Sequence, residues 1–132
     1  MVAGRVYLDA SAAVKLVVAE PESQPLAQYL AAQGIRVSHR ILEVELIRAV
    51  LRRSPDSLEQ AMALLRLLEL VELDAEIASL AGRLEPSSLR SLDAIHLASA
   101  LALGHELDTF VTYDARQADA ATALGLNVEG PG

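Results

Sequence analysis

The chain alternates short apolar runs with longer segments in which apolar residues recur every three or four positions. Short apolar runs bounded by turn residues are typical of buried strands, and the longer spacing is typical of amphipathic helices. The first run, Val6-Tyr7-Leu8, ends at Asp9 and leads into a segment with helical spacing. Because strands and helices alternate in this way, the pattern predicts an α/β protein whose central parallel sheet lies between two layers of helices.

The same pattern sets approximate limits for each element. Strands are expected at residues 6–8, 35–38, 71–73, 109–113 and 126–128. Helices are expected at residues 10–18, 23–32, 38–53, 57–70, 75–84, 91–103 and 115–124. The predicted N-caps are Ser23 and Asp74, and the predicted helix ends are Gly34, Gly104 (in the αL conformation) and Gly125. Residues 85–88 are expected to form a loop, and residues 130–132 are expected to be a frayed end. With no repeat and no linker, residues 1–132 are expected to form a single domain.

Composition narrows the classes of function. The chain has 11 basic and 18 acidic residues and a formal net charge of -7, which argues against broad electrostatic binding of nucleic acid. A cluster of acids around a metal ion can still form a phosphate site. The absence of cysteine excludes disulfides, zinc thiolate sites and cysteine nucleophiles. We see no signal peptide and no membrane span, so we expect a soluble cytoplasmic protein.

Four acids occur where the predicted architecture brings distant segments together. Asp9 follows the first strand and Asp114 follows the strand at residues 109–113. Asp93 falls in the first turn of the helix that begins at Ser91, and Glu45 falls at the border of an apolar stripe. Each acid alone could be a cap, a partner of the helix dipole or a surface charge. Glu43 lies about 200° round the helix from Glu45 and is expected to face solvent.

The negative charges of four neighbouring carboxylates need to be compensated. Two unit charges 4 Å apart repel each other by about 4 kcal/mol at an effective dielectric constant of 20. Either some of the acids are protonated or a divalent cation lies among them. Oxygen ligands without cysteine favour Mg²⁺ or Mn²⁺ over Zn²⁺. Such an ion orients phosphate oxygens and activates water, which makes a phosphodiester nuclease the natural chemistry.

Four segments of the chain resemble a PIN domain, and specifically the ribonuclease toxin of a VapBC-type toxin–antitoxin pair. They are Val-Tyr-Leu-Asp-Ala-Ser-Ala at residues 6–12, Leu-Glu-Val-Glu-Leu-Ile-Arg-Ala at residues 42–49, Leu-Asp-Ala-Ile-His-Leu-Ala at residues 92–98, and Phe-Val-Thr-Tyr-Asp at residues 110–114. The third is the most specific, and all four occur in the order found in the family. The resemblance covers almost the whole chain and implies a PIN-like three-layer α/β/α fold.

The resemblance also implies an activity and partners. It implies a Mg²⁺- or Mn²⁺-dependent endoribonuclease with Asp9, Glu45, Asp93 and Asp114 as the acidic, metal-binding site, Asp9 and Asp93 being the surest metal contacts. It implies a homodimer, inhibited by a small antitoxin whose C-terminal segment packs beside the site. Members of this type cut structured RNAs such as tRNA or ribosomal RNA.

Several other polar residues have two possible roles. Ser11 either bonds Asp9 or a metal-bound water, or serves the turn, and Thr112 is either a strand residue or a partner of Asp114. Lys15 either reaches phosphate or covers a solvated helix face. Asp119 either substitutes for or supports Asp114, or is an exposed helix charge.

The remaining cations and the histidines are weaker candidates. Arg48, Arg52 and Arg53 either position RNA or interact with the end of their helix. We interpret His96 as a buried, hydrogen-bonded histidine rather than a catalytic group, and place His39 and His105 at the surface or at helix ends.

Three alternatives compete with the nuclease toxin. A strand ending in Asp also begins the haloacid dehalogenase-like phosphatases, but these need a second Asp where this chain has Ser11. A catalytically silent RNA- or protein-binding module is the nonenzymatic alternative, although all four acidic positions are filled. A PIN-domain ribonuclease could also act in RNA maturation without an antitoxin.

Overall fold

A computed structural model describes residues 4–132 and contains a five-stranded, all-parallel sheet. Residues 1–3 of the expected domain lie outside the described residues. The strands are β1 (Arg5–Leu8), β2 (Ile35–His39), β3 (Glu69–Val71), β4 (Leu107–Val111) and β5 (Val128–Glu129), in the order β3-β2-β1-β4-β5. β1 is therefore the central strand, and residues that follow it lie at the middle of the carboxyl edge of the sheet.

Seven α-helices are described between or after the strands. They are α1 (Ala10–Lys15), α2 (Ser23–Ala31), α3 (Ile41–Arg53), α4 (Leu58–Leu67), α5 (Ala75–Arg83), α6 (Ser91–Leu103) and α7 (Ala115–Ala123). Short 3-10 turns precede α4 at Pro55–Ser57 and follow α6 at Gly104–Glu106.

Alternation along β1 divides the core into two layers. Val6 and Leu8 face a cluster built by α1, α2, α3 and α4, whereas Tyr7 faces a cluster built mainly by α6 and α7. Successive side chains of a strand point to opposite faces, so both faces of the sheet are covered. The predicted three-layer α/β/α architecture is confirmed.

Several predicted limits were wrong by two or more residues. β4 begins at Leu107 and ends at Val111 rather than covering residues 109–113, and β3 ends at Val71 rather than beginning there. Strand limits follow hydrogen-bond partners in the sheet, and β3 pairs Glu69 with Val37 of β2. α3 begins at Ile41 rather than at residue 38 because β2 continues to His39.

The helix ends show which local sequence signals predicted a cap or a helix limit correctly. Asp74 caps α5 as predicted, since its Oδ1 accepts the Ile77 N–H at 2.8 Å. Ser23 is instead the first residue of α2, and its hydroxyl accepts the Glu20 N–H at 2.9 Å. Gly104 has φ 58° but ψ -130°, which is outside the predicted αL conformation, and Gly34 has no positive φ.

The carboxyl terminus is packed rather than frayed. The Tyr113 hydroxyl donates to the Pro131 carbonyl oxygen at 2.6 Å, and this bond ties the last residues to the loop after β4. Within residues 4–132, no helix is long and apolar enough to cross a membrane.

Candidate active site

Asp9 lies directly after β1 and is 4% exposed. It caps α1, because its Oδ1 accepts the Ala12 N–H at 3.1 Å, and the same oxygen accepts the Ser11 hydroxyl at 2.7 Å. Its Oδ2 accepts the Thr112 hydroxyl at 2.5 Å. Pairing of Leu8 with Val111 between β1 and β4 places residues 9 and 112 beside each other. Both carboxylate oxygens of Asp9 are therefore fixed in orientation.

Ser11 and Thr112 each combine two functions. Ser11 lies in the first turn of α1 and bonds Asp9, and its oxygen also accepts the Tyr113 N–H of the loop after β4 at 2.8 Å. Thr112 donates to Asp9 rather than to the carboxylate of Asp114, and accepts the Asp114 backbone N–H at 3.2 Å. The expected partnership of Thr112 with Asp114 is thus limited to the backbone.

Burial is the main electrostatic influence on Asp9. It raises the pKa of the Asp9 carboxyl above the ordinary value of 3.8, and the bonds from Ser11 and Thr112 oppose this rise. A buried carboxylate that needs three hydrogen bonds carries a charge that is unfavourable without compensation.

The sequence suggested that Asp114 directly follows β4. In the structure it lies three residues beyond Val111, the last residue of that strand. It caps α7, since its Oδ1 accepts the Arg116 N–H at 2.9 Å and the Gln117 N–H at 3.2 Å. The Gln117 side chain donates in turn to the backbone carbonyl of Asp93 at 3.1 Å, which ties α7 to α6.

Asp93 lies in the first turn of α6 as predicted and is partly buried. Burial is the largest cause that raises the pKa of Asp93, and the negative charge of Asp114 raises it further. Arg90 acts in the opposite direction. Asp93 and Asp114 are therefore close enough for their charges to repel each other.

Glu45 and Glu43 occupy the faces of α3 predicted for them. The Glu45 side chain is 18% exposed, and its Oε1 lies 2.7 Å from Nε2 of His96 on α6. Glu43 is 49% exposed and pairs with Arg40 at 3.2 Å. Only Glu45 is directed toward α6, the helix that carries Asp93.

The histidines divide differently from expectation. His96 is buried and hydrogen-bonded at both ring nitrogens, as predicted. His39 was placed at the surface or a helix end; it lies just before α3 but is not at the surface, since it is 1% exposed, and burial lowers its pKa. Its Nδ1 accepts the Ile41 N–H at 2.9 Å at the start of α3. A polar residue at the end of a buried strand gives no sequence signal for this burial.

The Lys15 side chain does not cover a solvated helix face. Its side chain is 12% exposed, forms ion pairs with Glu20 at 2.6 Å and Glu22 at 2.7 Å, and lies 4.8 Å from the centre of the Tyr113 ring. Arg53 also pairs with Glu20, at 2.5 Å. Both cations are therefore already neutralised within the chain.

A surface hollow of about 540 Å³ adjoins Asp93. Arg90, Arg116 and Asp119 also line it. Asp119 is exposed on α7, and it faces this hollow. Sequence reasoning missed Arg90 and Arg116, because nothing in the local pattern distinguishes them from other surface arginines.

The carboxylate oxygens of the site suit a hard cation as ligands, although the described residues do not form a closed cage for such an ion. Across residues 4–132, no three His, Asp or Glu side chains converge closely enough to hold a metal by themselves. Mg²⁺ is commonly held by one or two carboxylates and completes its shell with water and substrate phosphate, so it does not need such a cage. The repulsion between Asp93 and Asp114 is what a cation would relieve.

Comparison with known proteins identifies the class. Residues 6–123 match the PIN domain family. The chain is 44% identical over 126 residues to Ribonuclease VapC46 of Mycobacterium tuberculosis, covering 96% of this chain and 97% of that protein. It is also 44% identical over 131 residues to Ribonuclease VapC35 of the same organism, with the same coverage.

Two solved structures share the fold. Mycobacterium tuberculosis VapC20, described as a sarcin-ricin loop cleaving toxin, matches with a TM-score of 0.77 at 15% identity and covers 96% of this chain and 99% of that one. VapBC2 from Rickettsia felis, bound to a promoter DNA fragment, matches with a TM-score of 0.72 at 17% identity and covers 97% of this chain and 99% of that one.

A parallel sheet between two layers of helices, with acids along its carboxyl edge, is thus the fold of a PIN-type nuclease. The chain belongs to the PIN-domain family and, within it, to the VapC ribonucleases. It is accordingly an endoribonuclease of the toxin class, and the resemblance stated from its sequence is confirmed. Ribonucleases of this class generally depend on a divalent metal ion.

Proposed function

We propose that the chain is a Mg²⁺-dependent toxin that hydrolyses phosphodiester bonds of a structured RNA, such as tRNA or ribosomal RNA, and is neutralised by a cognate antitoxin. One observation carries the site: hydrogen bonds link the segments that bear its four acids. Thr112 joins the end of β4 to Asp9, His96 of α6 joins Glu45 of α3, and Gln117 of α7 joins the backbone of Asp93.

Each acid has a role in this proposal. Asp9 and Asp93 provide the principal metal contacts, and Glu45 and Asp114 complete the negative field around the ion. When bound, Mg²⁺ (or Mn²⁺) orients phosphate oxygens and activates a water molecule. Ser11 and Thr112 keep the Asp9 carboxylate in one orientation, and Asp119 adds a further carboxylate to the hollow that Asp93 lines.

Arg90 and Arg116 are the cations proposed to hold the RNA backbone. Both are exposed, both line the hollow that contains Asp93, and neither forms an ion pair in the described part of the chain. Phosphate contacts of this type position nucleic acid without reading its sequence. This pair replaces Lys15 and Arg53 as candidates, since those two cations are bound to acids.

The proposed assembly is a cytoplasmic homodimer of single-domain chains (residues 1–132) that binds an antitoxin. Large apolar side chains are exposed on α3 and α4, among them Val44 at 62%, Leu51 at 50% and Leu67 at 74%. Burying such apolar side chains against another protein surface would be favourable. The structural match to VapBC2 from Rickettsia felis supports a partner of the antitoxin type.

Cleavage of total RNA by the purified chain tests the function. With Mg²⁺ or Mn²⁺ we expect discrete fragments, and with EDTA none. Asp93→Asn should abolish cleavage, whereas Asp56→Asn, which changes an exposed aspartate in the 3-10 turn before α4, should cut as the wild type does. Cleavage that survives both EDTA and Asp93→Asn would refute the proposed site.

A further inference from the structure

Three polar side chains form a continuous hydrogen-bonded series from the sheet interior to the acidic edge. The Tyr7 hydroxyl on β1 lies 2.7 Å from Nδ1 of His96, and Nε2 of His96 lies 2.7 Å from Oε1 of Glu45. Tyr7 and His96 are 0% and 1% exposed. The Tyr7 ring stacks on Phe110 at 5.3 Å and meets the His96 ring edge-on at 5.7 Å, so packing fixes both rings.

The chemistry of the three groups favours one arrangement of protons. An ionised Glu45 carboxylate can only accept hydrogen bonds, so the nitrogen that faces it should carry the proton. A neutral imidazole then has an acceptor at Nδ1, which suits the phenol O–H as donor. Burial raises the pKa of Tyr7 above its ordinary value, which keeps this phenol protonated.

The series also joins the two helical layers. α3 packs on the face of the sheet that carries Val6 and Leu8, whereas α6 packs on the face that carries Tyr7. Asp93 precedes His96 by three residues on α6, so the two side chains lie one above the other on that helix. The bond from His96 to Glu45 therefore fixes Glu45 relative to Asp93.

We propose that His96 and Tyr7 are positioning residues of the ribonuclease site: Tyr7 holds the His96 ring at Nδ1, and His96 holds the Glu45 carboxylate in place. The inference rests on the proposed function, because Glu45 matters only if it belongs to the acidic site. Neither ring is accessible to RNA, so both residues act through Glu45. Loss of a partner that orients a metal-binding group in this way typically lowers activity or metal affinity 10- to 100-fold.

Two substitutions of His96 separate positioning from simple core packing. In His96→Gln the side-chain amide nitrogen lies about where Nε2 lay, so the donor to Glu45 is retained. In His96→Asn the amide reaches only the position of Nδ1, and that donor is lost. We expect His96→Gln to keep kcat within about threefold of the wild type and His96→Asn to lower kcat by about 10-fold or more, with KM for RNA unchanged in both.

Controls and a background variant complete the kinetic test. His105→Asn changes an exposed histidine and should leave kcat unchanged. In a Glu45→Gln background, His96→Asn should add less than about a twofold further loss, because residues that act through one group are not additive. A folded His96→Asn enzyme with wild-type kcat, or an equal loss in both backgrounds, would overturn the proposal.

Nitrogen-15 NMR of the metal-free protein gives a readout independent of cleavage. We expect the His96 ring to carry its proton at Nε2 in the wild type, where the Glu45 carboxylate accepts it, and a mixture of tautomers in Glu45→Gln, whose amide can donate as well as accept. Protonation at Nδ1 in the wild type, whether alone or together with Nε2, would overturn the assigned arrangement. If the wild type cuts no RNA, the proposed function fails, whereas the NMR result still decides the tautomer.

Discussion

Replacing Thr112 with valine removes a hydroxyl that holds Asp9, the acid at the end of the central strand. Valine preserves the approximate shape but removes the hydroxyl, which donates to Asp9 Oδ2 at 2.5 Å and accepts the Asp114 N–H at 3.2 Å. Leaving a buried acceptor without its donor costs about 1–3 kcal/mol, and more when the acceptor is charged. We therefore expect Thr112→Val to lower the free energy of unfolding by about 2 kcal/mol at neutral pH.

The size of this loss should depend on pH with a definite sign. The pKa of Asp9 is raised in the folded chain, so ionisation of Asp9 disfavours folding. This unfavourable contribution is absent well below the ordinary pKa of 3.8 and complete above the raised pKa. The bond from Thr112 stabilises the charged form, so removing it raises the pKa of Asp9 further. The deficit of Thr112→Val should therefore be small in acid and grow as the pH rises to neutrality.

Thermal unfolding of the metal-free protein at several pH values measures the effect. A loss of about 2 kcal/mol should lower Tm by about 5–10 °C in a domain of this size. Thr112→Ser, which keeps the hydroxyl, should recover most of the loss, and Thr122→Val, at an exposed position on α7, should change Tm little. An unchanged Tm at neutral pH, or a loss that is equally large in acid, would refute the assignment of this bond.

Three further predictions concern substitution of the acids themselves. Asp9→Asn should abolish cleavage yet raise Tm of the metal-free protein at neutral pH, since Asn also caps helices and removes a charge whose burial is unfavourable; a lower Tm would contradict this. Asp114→Asn should lower the pKa of Asp93 toward its ordinary value, because it removes a negative charge whose effect adds to that of burial; carbon-13 NMR titration measures this, and an unchanged pKa would exclude this charge interaction. Added Mg²⁺ should raise Tm of the wild type but not of Asp93→Asn, since a ligand that binds only the folded state stabilises it; an equal rise in both would place the ion elsewhere.

The fold was largely predictable because its signals are local. The limits of α6 agree with those predicted from its apolar spacing and from Gly104, and Asp74 alone marked the start of α5. The errors occurred where tertiary pairing decides the limit. β4 begins at Leu107 because Leu107 pairs with Arg5 of β1, a contact that no local pattern contains.

The acids could be placed from the sequence, but their partners could not. Asp9 was expected at the end of the first strand, whereas its bond to Thr112 depends on the register of two strands about a hundred residues apart in the chain. The burial of Lys15 against Tyr113 is non-local in the same way. Residue type and spacing therefore indicate which side chains carry the chemistry, while the hydrogen bonds that tune them depend on packing.

The charge of the chain illustrates the same difference between composition and arrangement. A net charge of -7 suggests poor affinity for RNA, yet the charges are unevenly distributed, and some acids, such as Glu20 and Glu72, lie in pairs with basic residues. Those pairs neutralise Lys15, Arg40 and Arg53. Arg90 and Arg116 stay outside these pairs and line the hollow beside Asp93. Because screening limits the effect of distant surface charges to about 10 Å, a phosphate near Asp93 responds to these two arginines more than to the net charge of the chain.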